Sequence, residues 1–231
     1  MYLTEYEFFL RESIVDSITE CERAGYTPLF LPEFIDLQLA HPFPWLQRSR
    51  SMSICATGRS RQGNRIEIYA HVPGVWTDRA YIADAFDQRK LIGHALPLSN
   101  EAILALEERN GEVHDGTRLV TVMEHQAAQN AKFGPQSLDE ALENPHVLAS
   151  FGSEDRTRRY LAACKEKLCS SIFVWHYDDL GDKAVARPLE LNYMDLCCGS
   201  YFFGGLTHVG GVRHRGPQQI RNIRSLAQKP I

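Results

Sequence analysis

Apolar positions recur along the chain in two styles: short runs rich in β-branched and aromatic residues, and longer stretches in which apolar residues return every three or four places. The first style predicts strands and the second helices. Near the N-terminus Leu10, Ile14, Ile18 and Cys21 fall on one helical face, Thr4 and Glu7 have capping-box spacing, and Gly25 supplies a stop. One helix is therefore expected from about Tyr2 or Thr4 to Ala24. Thr27 to Leu31 reads as a short strand closed by Pro32, and Leu37 to Gln47, with His41 and Trp45, as an irregular connection. Ser51 to Thr57 and Arg65 to Val72 read as two strands joined through a turn at Gly63-Asn64. Asp78, Ser99, Ser137, Asn144 and Ser153 each stand where a helix should start. Strands are expected over Thr117 to Met123, Ile172 to Trp175 and Val185 to Met194, and a docked surface helix in the tail after Arg213.

Repeated helix-then-strand alternation argues for an α/β fold: a mostly parallel or mixed sheet flanked by helices, with an antiparallel hairpin around residues 51–72. Nothing in the middle of the 231 residues has the composition of a linker, so one domain over 1–231 is expected, with the Gly-rich basic C-terminal segment 197–231 packed on it.

Composition adds the setting. The chain is 44% hydrophobic and 23% charged, as globular domains are, and no uninterrupted apolar stretch approaches the roughly 20 residues of a membrane span. No basic leader precedes an apolar run, and the six cysteines include no CxxC pair, so a soluble cytoplasmic protein with reduced thiols is expected. Charge is segregated behind a net value of −4: Leu37 to Ile66 and Leu196 to Ile231 contain no Asp or Glu, yet hold 10 of the 25 Lys and Arg. Such clusters attract phosphate, carboxylate or nucleic acid, or else pair with the acidic remainder of the same chain.

The candidate chemistry comes from strand ends. The run Ile66 to Ala70 ends in His71, Leu119 to Met123 in Glu124 and His125, and Ile172 to Trp175 in His176, with Asp178 and Asp179 just beyond. Were these strands parallel, their polar ends would meet at the sheet edge where open α/β proteins bind ligands. Imidazoles and carboxylates held there suit a divalent metal, Zn, Mn or Fe, with His71, Glu124, His125, His176, Asp178 and Asp179 as the ligand candidates. His176, Asp178 and His71 are then the expected catalytic groups, and Arg59, Arg61 and Arg213 the expected contacts to substrate.

The activity this implies is a metal-dependent or acid/base hydrolase acting on an anionic, phosphate- or carboxylate-bearing small molecule. A second reading is a non-enzymatic binding module that takes nucleic acid or an acidic partner through the Arg-rich segments 48–65 and 213–229, although the net acidic charge weighs against nucleic acid. Cys197-Cys198, with His208 or His214, forms a further thiol or zinc candidate. Each histidine also has a plainer role as a hydrogen-bonded residue at the end of a strand. Oligomeric state is left open by the sequence.

Overall fold

The structure, a computed structural model, describes residues 3–11, 13–40, 49–166, 170–176, 182–192, 195–198 and 207–215. His41, Trp45, Asp178 and Asp179 lie outside the described residues.

The chain opens with strand β1 (Leu3–Arg11) and only then enters helix α1 (Ile14–Arg23). The single N-terminal helix expected from the spacing of Leu10 and Ile14 is thus split. Ser13 caps α1, its Oγ accepting from the Asp16 amide at 3.1 Å, and the nine residues before it pair antiparallel with β13 (Thr207–Arg215) from Leu3 opposite Arg215 to Arg11 opposite Thr207. Nine ladder positions formed with the far end of the chain outweigh a weak local helical preference. Next come β2 (Thr27–Pro28) and helix α2 (Leu31–Ala40), which takes in Leu37 to Ala40, the beginning of the stretch expected to be irregular. Pro32 sits in the first turn of α2, where its missing N–H removes no helical hydrogen bond, so it opens a helix instead of closing a strand.

Strands β3 (Ser49–Arg59) and β4 (Arg65–Ala70) form an antiparallel hairpin, with Arg59 opposite Arg65 and Ile54 opposite Ala70. A short 3-10 turn (Val75–Thr77) leads to α3 (Arg79–Asp87), capped by Asp78. Then follow β5 (Leu96–Pro97), α4 (Asn100–Glu108) capped by Ser99, β6 (Val113–His114), β7 (Thr117–Arg118), β8 (Val120–Glu124) and α5 (His125–Gln129). After β9 (Gly134–Ser137) come α6 (Leu138–Glu143), opened by the Ser137–Glu140 capping box, α7 (Pro145–Phe151) and α8 (Glu154–Glu166). Gly152 ends α7 with φ of 69°, a left-handed conformation natural to glycine. Strands β10 (Ser171–His176), β11 (Val185–Asn192), β12 (Asp195–Cys198) and β13 complete the described chain.

Among the described residues eleven strands join into one sheet in the order β1-β13-β3-β11-β12-β10-β9, with β4 added beside β3, β8 beside β4, β2 beside β13 and β5 beside β11, while β6 and β7 pair separately. Pairing is antiparallel at β1–β13, β3–β4, β4–β8, β3–β11, β11–β12 and β9–β10, and parallel at β10–β12 and at two positions of β3–β13. This corrects the expected mostly parallel α/β arrangement. The antiparallel pairing foreseen for residues 51–72 as a local departure predominates across the sheet. Helices here do not carry the chain from one parallel neighbour to the next, and strands far apart in sequence return antiparallel beside one another. Consequently the ends of β4, β8 and β10 do not share one edge, because β8 runs opposite to β4.

Both faces of the sheet are covered. On one, Ile54, Ala56, Ile66, Ile68 and Ala70 pack against Ile14 and Ile18 of α1, Ile82 of α3 and Ile103 and Leu106 of α4. On the other, Cys55, Tyr69, Leu189, Leu191, Ile172 and Val174 pack against α2, α7 and α8 through Phe34, Phe151 and Tyr160. No helix among the described residues is long and apolar enough to cross a membrane.

Candidate functional site

Alternation along β4 sends Ile66, Ile68 and Ala70 to the first layer and leaves Glu67 and Tyr69 for the second. Glu67 is wholly buried there. Two histidines converge on its carboxylate: His176 Nε2 from the end of β10 at 2.8 Å from Oε2, and His125 Nδ1 from the start of α5 at 3.1 Å from Oε1. Gln129, one helical turn after His125, brings its Nε2 to 3.4 Å from the same oxygen. A carboxylate only accepts, so both imidazoles donate, which fixes the protonated nitrogen on each ring. Burial acts to raise the Glu67 pKa, but the hydrogen bond and charge of His176, the charge of His146 and the hydrogen bond from His125 reverse it, and the net result lies below the usual carboxylate value.

His146 of α7 completes the group. Its Nε2 donates to the Ala128 carbonyl at 2.8 Å, and Nδ1 lies 2.5 Å from the Tyr69 hydroxyl. Burial is the largest influence on its pKa, which is lowered, and in the neutral ring with Nε2 protonated toward Ala128 it is Nδ1 that accepts the tyrosine proton. Phe133 stacks on His176 with ring centroids 5.1 Å apart and also meets His146 at 4.9 Å. Cys55 of β3 stands diagonally across the hairpin from Glu67, since Thr57 is the residue directly opposite. Among the described residues Cys55, Glu67 and His176 form a set whose ligand atoms all lie within 4.8 Å of one another, and these three can hold a metal ion. Calcium takes six to eight oxygen ligands, whereas this set has one carboxylate beside a thiol and an imidazole, a mixture that suits zinc or a similar transition metal.

The remaining candidates are dispersed. His71 is buried and held on both nitrogens: Nε2 donates to the Ala149 carbonyl at 2.9 Å, and Nδ1 accepts from the Ser53 hydroxyl at 2.7 Å, whose oxygen in turn accepts the Leu31 amide at 2.8 Å. Burial pushes its pKa down to about 4, with the nearby Arg156 charge acting the same way and the Ala149 bond opposing. It joins α2, β3 and α7. Glu124 is exposed at the end of β8. Arg59 donates to the Gly63 carbonyl and to Asp182 at 2.5 Å, and Arg61 pairs with Glu108. Arg213 is placed by its backbone, opposite Glu5. In the β10–β12 pair Cys198 stands at the register position beside His176. A cleft of about 660 Å³ between β8, α7 and the start of α8, lined by residues such as Arg118, Thr121, Met123, Leu148 and Glu154, includes none of the foreseen site residues.

The strand-end pattern pointed to His125 and His176 but passed over Glu67, where they meet, and over Cys55, Tyr69 and His146. The available signal was Glu67 itself, an acid inside the otherwise apolar run Ile66 to Ala70.

No protein-family model and no curated protein sequence matches the chain. Its architecture is similar to the C-type lectin fold, a class of binding modules. The solved structure that carries this likeness, reported under the words "Accommodation of massive sequence variation in Nanoarchaeota by the C-type lectin fold", superposes with a TM-score of 0.79 at 26% identity over 91% of this chain and 98% of that one.

This likeness overturns the metal-dependent hydrolase expected from the sequence, and with it the anionic small-molecule substrate. The geometry shows why the pattern misled: Arg59 and Arg61 are engaged by the protein's own acids, His71 has no ring nitrogen to spare, and the convergent acid and imidazoles are sunk within a packed layer.

Proposed function

We propose that this chain is a non-catalytic recognition module that binds a carbohydrate or protein ligand on its outer surface. The observation that carries this reading is the C-type lectin likeness across nine-tenths of the chain. The related structure is credited with accommodating massive sequence variation. Carried over to this chain, that describes a scaffold whose inward residues are fixed by packing and whose outward residues are at liberty to change.

The surface has aromatic material for recognition. Trp175 of β10 is 45% exposed, against a core that is almost wholly excluded from solvent, and its ring lies nearly parallel to that of Phe173 at 6.1 Å. Flat aromatic faces with a polar rim are what protein interfaces use as anchors, and they offer the same apolar plane to a sugar ring. The divalent ion foreseen from the sequence, zinc, manganese or iron, belongs in this reading to the scaffold and not to the recognition surface.

The test is a glycan array together with a panel of purified surface proteins, probed with the whole chain. Saturable binding that leaves the ligand chemically unchanged, and weakens at least tenfold in Trp175→Ala with an unaltered circular dichroism spectrum, supports the reading. Turnover of a bound molecule, or no binding on either panel, overturns it.

A further inference from the structure

The buried set beneath the sheet asks for a different explanation from the recognition surface. We propose that Cys55, Glu67 and His176 hold one zinc-class divalent ion, which ties β3, β4 and β10 together inside the fold. The proposal is independent of what the outer surface binds.

Three observations support it. The three donors come from three strands, yet their ligand atoms lie within 4.8 Å of one another, close enough for small side-chain adjustments to place all three on one ion. The set mixes sulfur, nitrogen and oxygen, the donors that borderline ions such as zinc prefer. Around it is the supporting shell that metal sites use: His125 and Gln129 hold the other oxygen of Glu67, and Phe133 fixes the ring of His176 by stacking.

Proton balance follows from the hydrogen bonds. Before metal enters, Glu67 accepts the proton on His176 Nε2. Coordination replaces that shared proton with the ion: the imidazole proton leaves or moves to Nδ1, the Cys55 thiol releases its proton to solvent, and the metal–sulfur and metal–nitrogen bonds form in their place. Binding therefore weakens as pH falls.

The experiment uses the full chain without a histidine tag, stripped of metal and reloaded with Zn(II) or Co(II). One ion per chain is expected, with a cobalt–thiolate absorption band and a higher unfolding midpoint than the stripped chain. Cys55→Ser, Glu67→Gln and His176→Gln should each weaken zinc binding at least tenfold, and His125→Ala, acting through Glu67, about tenfold. Cys164→Ser, on the partly exposed side of α8, should bind as wild type. A cobalt band lost in Cys55→Ser supports the site. If Glu67→Gln fails to fold, the wild-type metal count and the chelator effect on its midpoint still decide. Failure of the folded wild-type chain to retain zinc, or a cobalt band unchanged by Cys55→Ser, overturns the proposal, and neither result bears on the binding arrays.

Discussion

The two faces of the β3–β4 hairpin are equally buried and chemically unlike. One presents Ile54, Ala56, Ile66, Ile68 and Ala70 to the α1, α3 and α4 layer; the other presents Cys55, Thr57, Glu67, Tyr69 and, just past the strand, His71 to α2, α5 and α7. Apolar contact is non-directional, so the first face stabilises the packing of helices without dictating much about their placement. Hydrogen bonds among buried polar groups tolerate little displacement. The second face therefore demands that α5, α7 and β10 arrive at set positions, with His125, His146 and His176 in reach of Glu67 and Tyr69.

The sharpest way to break this comparison is Glu67→Ala. Removing the buried carboxylate leaves three donors, from His176, His125 and Gln129, without their acceptor and should lower stability by about 4 kcal/mol, read from urea unfolding. A loss below about 1 kcal/mol would mean the polar face specifies nothing. On the opposite face Ile68→Ala deletes a fully buried side chain and should cost about 3 kcal/mol through lost burial and a cavity, again by urea unfolding. Unlike Glu67→Ala, it should not change how stability responds to acid.

Acid sharpens the same contrast. His71 takes up its proton near pH 4 when folded, but at its ordinary value of 6.5 when unfolded. Between those values the unfolded chain binds the extra proton, so the contribution is complete above about pH 6.5 and is lost as pH falls toward 4. The change is roughly 3 kcal/mol over that window, and urea midpoints at pH 7.5 and pH 4.5 should show most of it. His71→Leu should flatten the dependence, and a slope that persists in that variant would assign it elsewhere. The smallest effect is expected at Arg59→Ala. Its pair with Asp182 is exposed and screened, so the unfolding midpoint should stay within error of wild type.

Local signals in the sequence were legible wherever the physics is local. Asp78, Ser99 and the Ser137–Glu140 pair open helices because each side chain bonds amides within its own first turn. Pro32 and Leu10 misled for the same reason in reverse, since a proline suits the end of a strand or the first turn of a helix equally well. What settled Pro32 is the position of α2 against β3, where the Ser53 hydroxyl receives the Leu31 amide. What settled Leu10 is the pairing of β1 with β13, some two hundred residues away in the chain.

The amino-acid order alone determined that the chain mixes strands with helices, where most helices begin, and that His125 and His176 sit at the ends of apolar runs. Tertiary structure decided which strands are neighbours and in which direction, and so turned an expected catalytic edge into a buried layer. Helix caps and apolar alternation act over a few residues, whereas the bond from His176 to Glu67 spans 109 positions and exists only once every intervening strand has found its place.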